Sequence, residues 1–96
     1  MPTYVVLSHF TEQGIKSVKD TVKRSEAFKT AAKAAGVTVK EILWVQGQYD
    51  VVTILEGPDE AIAALGLSVA KLGNISSQTL RGFTTADMEK ILAKVS

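Results

Sequence analysis

With 96 residues, 46% of them hydrophobic and 22% charged, the chain has room for one domain over residues 1–96 with a modest core, and its composition excludes a disordered polymer. A formal net charge of +1 gives no bulk electrostatic reason to expect a nucleic-acid or membrane partner. The lack of cysteine excludes disulfides, thiolate metal sites and cysteine nucleophiles, so packing must hold the fold.

Thr3 to Phe10 is rich in β-branched and aromatic residues and predicts a first strand. No basic region followed by an apolar one precedes it, and the longest uncharged apolar run, residues 61–70, falls far short of the roughly 20 residues a membrane helix needs. A cytoplasmic location is the expectation. Ile15, Val18, Val22, Phe28, Ala32 and Ala35 recur near the helical period, with a break foreseen at Asp20-Thr21 and a stop at Gly36. The lysines of this stretch alternate with Asp20, Glu26 and alanines, the pattern of a solvated helix face.

Two further strands are predicted, Val37 to Gln46 and Tyr49 to Glu56, joined by Gly47-Gln48 as a two-residue type II′ hairpin. Gly57-Pro58-Asp59-Glu60 reads as a helix start, with proline at an early helical position and two acids at the positive end of the dipole. Ile62, Leu65, Val69 and Leu72 form the stripe of that helix, and Gly73 ends it. Asn74 to Phe83 is a more polar strand, suited to a sheet edge, and Asn74-Ile75-Ser76 within it is a chance match to a glycosylation acceptor. Thr84 to Asp87 fits a capping box ahead of a short helix carrying Met88, Ile91, Leu92 and Val95 on one side.

The order βαββαβ plus a tail helix predicts an α+β ferredoxin-like fold: a four-stranded antiparallel sheet, two helices on one face, the first and third strands central. Tyr49, Val51 and Leu55 alternate with Val52 and Ile54, so the third strand is apolar on both faces. Two helices cover one face only. The other face must be covered by the terminal helix or by another copy, and since symmetric pairing of sheets is the commonest solution the first expected partner is the chain itself, in a homodimer or larger even oligomer.

Five segments in order, Met1-Pro2-Thr3-Tyr4-Val5-Val6-Leu7, Thr11-Glu12-Gln13-Gly14-Ile15, Gly47-Gln48-Tyr49-Asp50, Leu72-Gly73-Asn74 and Thr79-Leu80-Arg81-Gly82-Phe83-Thr84, resemble the GYD domain family over essentially the whole chain. The resemblance implies a ferredoxin-like domain of the dimeric α/β-barrel type and no particular reaction.

Candidate chemistry is sparse. His9 is the one side chain that normally titrates near neutrality and the candidate catalytic acid–base; its expected partner is Glu56, on the assumption that the first and third strands run parallel. Tyr49, Asp50 and Arg81 are candidate ligand-binding residues, with Arg81 holding an anion or pairing with Asp50, whose simpler role is to bond turn amides. Trp44, with Tyr4 and Phe10, offers aromatic surface to a small organic ligand in a pocket between sheet and helices. A single histidine and no cysteine leave no metal set, no phosphate-cradling glycine loop is present, and no cofactor is expected. Two functions follow: a homo-oligomeric module, non-enzymatic, binding a small molecule in the cleft between paired sheets, or by analogy of fold a cofactor-independent oxygenase or isomerase acting on an aromatic or polyketide-like substrate.

Overall fold

The computed structural model describes all 96 residues. Strand β1 spans Thr3–Phe10, helix α1 Glu12–Lys16, a 3-10 turn Val18–Asp20, α2 Thr21–Ala34, β2 Thr38–Trp44, β3 Val51–Glu56, α3 Asp59–Ala70, β4 Ile75–Gly82 and α4 Thr85–Leu92. The strands form one antiparallel sheet in the order β2-β3-β1-β4, the ferredoxin-like arrangement with the polar β4 at an edge. The chain does break before α2, although Asp20 makes no side-chain capping bond there. Gly36 and Gly73, after α2 and α3, take left-handed φ angles of 78° and 82°, the terminating conformation glycine adopts at least cost.

Three local expectations change. The β2–β3 connection is a six-residue loop, 45–50, rather than a two-residue hairpin; the Val45 N–H donates to the Asp50 carbonyl at 2.8 Å, and β3 begins at Val51. Pro58 is the N-cap of α3, in extended conformation, rather than a helical residue. β1 and β3 run antiparallel with Thr3 opposite Glu56, which puts His9 and Glu56 at opposite ends of the sheet.

Alternate residues of each strand face α2 and α3. Ala32, Val37, Leu55, Ile62 and Leu65 form the buried core, with Tyr4, Val6, Phe28, Val39 and Ala61 packed on it. Phe28 and Ala32 of α2 and Ala61, Ile62 and Leu65 of α3 thus pack over Tyr4, Val39 and Leu55, which pair with one another at one end of the sheet. The other face carries no helix. Its registers place Leu43, Val52 and Leu7 in one row across the strands and Ile54, Val5 and Leu80 in the next, with Gln78 and Glu41 closing the rows. Leu43 is 50% and Leu80 39% exposed.

Helix α4 begins with the foreseen capping box: the Thr84 hydroxyl accepts from the Asp87 N–H at 3.1 Å, and the Asp87 carboxylate accepts from the Thr84 N–H at 3.0 Å. Those bonds from Thr84, reinforced by the Arg81 and Lys90 charges, hold the Asp87 carboxyl below its ordinary value. Leu92 and Val95 are 58% and 65% exposed, so the apolar stripe at this end of the chain lacks a packing partner. The radius of gyration is 14.5 Å, against about 12.5 Å for a compact chain of this length. A flat body with an unpacked tail accounts for the excess. No helix is long and apolar enough to cross a membrane.

Candidate functional site

Between the sheet and the two helices lies a cavity of about 430 Å³, within the range of small-molecule sites. Its floor is the helix-facing side of the strands beyond the packed core: Ser8 and Phe10 of β1, Val51 and Thr53 of β3, Trp44 of β2 and Ser77 of β4. The roof is α2 from Thr21 to Ala31, α3 from Ile62 to Val69, and Leu72 just beyond it.

The polar groups of the cavity are few. Ser8 and Ser77 share a hydrogen bond at 2.8 Å across β1 and β4. Trp44 donates its indole N–H to the Thr21 hydroxyl at 3.0 Å, linking sheet and helix at one wall. Half-buried Arg24 borders the space from the first turn of α2. Its guanidinium donates to the Ser17 carbonyl at 3.2 Å and hydroxyl at 3.1 Å, and to the Gly14 carbonyl at 3.2 Å. It takes part in none of the ion pairs, which are Lys16–Glu12, Lys29–Glu26 and Lys40–Glu56.

Helix α1 is what positions Arg24, and α1 is seated on the turn before β4. The Thr11 N–H donates to the Asn74 carbonyl at 3.1 Å, the Thr11 hydroxyl to the Gly73 carbonyl at 2.6 Å, and the Gln13 amide to the Leu72 carbonyl at 3.0 Å. Gly14 lies so close that a Cβ there would stand 1.9 Å from the Asn74 carbonyl oxygen. Two of the sequence segments quoted above, Thr11 to Ile15 and Leu72 to Asn74, are thus the two sides of one contact.

The residues singled out from sequence fall into three places. Trp44 and Phe10 line the cavity, whereas Tyr4 belongs to the packed end and donates its hydroxyl to the Asp59 carboxylate. His9 stands on the helix-free face beside Tyr49, ring centroids 4.7 Å apart, and the Tyr49 hydroxyl bonds the Gln78 side-chain carbonyl at 2.9 Å. Asp50 is at this same end, accepting the Phe10 N–H at 2.9 Å and donating its own N–H to the Ser8 carbonyl at 2.8 Å. It therefore ties the loop to β1 rather than bonding turn amides.

Arg81 does not join them. Antiparallel pairing sets it opposite Tyr4, at the far end of the sheet, with its guanidinium carbon 4.6 Å from the Phe83 ring centroid and 5.7 Å from that of Tyr4. It also donates to the Thr3 carbonyl at 3.3 Å. The expected cluster of Tyr49, Asp50 and Arg81 and the Asp50–Arg81 pair are thereby overturned, as is the approach of His9 to Glu56. No group of three or more His, Asp or Glu side chains gathers where it could hold a metal ion. Sequence reading passed over Arg24, which lies inside the lysine-rich run; its signal, a bond to α1, exists only in three dimensions.

Comparison with known proteins gives two findings. The model of the GYD domain matches residues 4–92. The chain is also 33% identical over 90 residues, 92% of its own length and 95% of the relative's, to the "Glutamine synthetase and cystathionine beta-lyase binding protein" of Thermus thermophilus.

Proposed function

The chain belongs to the GYD domain family, and on that premise we propose that it is a non-enzymatic binding module that works as a homo-oligomer, two copies meeting through the helix-free faces of their sheets. The observation that carries this is the composition of that face. Six aliphatic side chains, Leu43, Val52, Leu7, Ile54, Val5 and Leu80, occupy its centre and polar Gln78, Glu41 and His9 its margin, the apolar-core and polar-rim anatomy of an interface.

Four strands at a spacing of about 4.8 Å and about seven residues at about 3.4 Å project roughly 450 Å². Standard interfaces bury about 800 Å² per partner, so the exposed stripe of α4, with Leu92 and Val95, belongs to the same contact in this reading. An oxygenase or isomerase would need an acid–base pair inside an apolar cavity. The cavity walls offer hydroxyls and Arg24 instead, and His9 stands on the opposite face of the sheet. Binding fits those walls better than catalysis.

The relative's printed name favours a further partner. In this reading the oligomer presents its remaining surface to an enzyme, glutamine synthetase or cystathionine beta-lyase of the same organism, as that name says of the Thermus protein.

Native mass spectrometry tests the first claim. The expected species is an even multiple of 10.3 kDa, and Ile54→Lys, which puts a charge at the centre of the proposed interface, is expected to leave folded monomers. A wild-type monomer at micromolar concentration refutes sheet pairing. For the second claim, the purified protein is mixed with each of the two enzymes and run on a sizing column; failure to co-elute with either removes them as partners and leaves the self-association result standing.

A further inference from the structure

The cavity beneath α2 and α3 has a feature that packing does not explain. Gly66 lies within α3, where glycine costs roughly 0.5–1 kcal/mol relative to alanine. It lines the cavity, and a Cβ built on it meets nothing within 4 Å. An alanine methyl would fit there without moving the backbone, so no steric conflict demands glycine. A helix-weakening residue therefore stands where it keeps room open.

The charge in this space is equally specific. Around the cavity the side chains are aliphatic, aromatic or hydroxylic apart from the Asn74 amide, with Arg24 the cation among them. Of the five N–H groups of a guanidinium, three are directed at Ser17 and Gly14, which leaves two for another acceptor. No carboxylate of the chain pairs with them. A half-buried cation held in place by backbone carbonyls, at the border of an apolar space, complements a ligand with one negative end and an apolar body.

We infer that this cavity is a binding site for an amphipathic monocarboxylate, whose apolar part lies between Phe28, Val51, Leu65 and Val69 and whose carboxylate is held by Arg24. The site lies within one protomer and is independent of the sheet-pairing proposed above. The Ser8–Ser77 pair on the floor is already satisfied by its own bond and makes no charge-specific demand on the ligand.

Trp44, the only tryptophan of the chain, lines the cavity and reports occupancy through its fluorescence. The experiment titrates the full-length protein with decanoate and, separately, with 1-decanol, both below their aggregation limits, with calorimetry as a second readout. Saturable binding of decanoate at least about tenfold tighter than decanol is expected, since a charge-assisted bond is roughly twice as strong as a neutral one. Arg24→Gln is expected to bring decanoate affinity down to that of decanol in the same variant, removing the preference. Equal affinity for acid and alcohol in the wild type overturns the carboxylate assignment, and no binding of either overturns the site.

A second variant guards against loss of fold. Gly66→Leu should raise the thermal midpoint of the unliganded protein, through better helix propensity, and weaken both probes at least about tenfold by occupying their space. A stable Gly66→Leu protein that still binds decanoate as the wild type does places the ligand elsewhere and refutes the inference.

Discussion

Replacing Gly14 with alanine is the most demanding test of how α1 is held. The backbone of Gly14 is ordinary helix, so conformational freedom is not at issue; proximity is. The new Cβ would lie 1.9 Å from the Asn74 carbonyl oxygen and 2.9 Å from its carbon, and side-chain carbons essentially never come within 3.0 Å of other heavy atoms. Both partners are backbone, so neither can rotate away, and α1 must lift by about 1 Å. That movement stretches the part-buried bonds from Thr11 to Asn74 and Gly73, 3.1 and 2.6 Å long. Two such bonds at about 1 kcal/mol each and about 1–3 kcal/mol of overpacking strain give a loss of about 3–5 kcal/mol. For a domain whose whole stability is about 5–15 kcal/mol this is large. Urea unfolding followed by Trp44 emission measures it. Because Gly14 and Ser17 also hold the Arg24 guanidinium, the preference for decanoate over decanol should shrink in the same variant while decanol still binds. A Gly14→Ala protein within about 0.5 kcal/mol of wild type would refute the seating of α1 on the 72–74 turn.

Other expectations are smaller. Asp50→Ala leaves the Phe10 N–H without its carboxylate acceptor and should cost about 1.5–3 kcal/mol in urea unfolding, with Asp50→Asn recovering part of it. Thr84→Ala should weaken α4 by about 1 kcal/mol, read as faster amide exchange confined to residues 85–92. The Asp87 carboxyl is depressed in the folded protein, so its contribution to α4 is fully present above the ordinary aspartate value of 3.8 and is lost as pH falls through the lower folded value. Carbon chemical shifts of α4 that stay constant from neutrality to about pH 4 and then move toward coil would fit; a transition centred within that range would not.

The local structure was well written in the sequence. Thr84 and Asp87 announce their capping box by spacing, Gly36 and Gly73 mark helix ends by residue type, and the alternation of Val51 through Leu55 marks a strand apolar on both sides. What went astray depended on strand direction. A parallel placement of β1 and β3 brings His9 to Glu56; the antiparallel register brings it to the loop holding Tyr49 and Asp50, and sends Arg81 to the far end opposite Tyr4. Periodicity likewise gives Ile62, Leu65, Val69 and Leu72 a single stripe. It carries no sign that Ile62 and Leu65 are buried in the core as well as bordering the cavity, while Val69 and Leu72 only border it. The closeness of Gly14 to Asn74 links residues sixty positions apart, beyond the reach of any local pattern.

The unequal seating of α2 and α3 has a dynamic counterpart. The helices are packed over Ala32 and Ile62, whereas around the cavity α2 is held by the polar bonds Trp44–Thr21 and Arg24–Gly14 rather than by a packed core. Segments held by a few partly exposed polar bonds open more readily than those packed into a core. Entry to the interior then needs only breathing of one end, with the sheet and the core left intact, and hydrogen exchange along α2 should show it as a gradient of protection rising from Ser25 to Ala32.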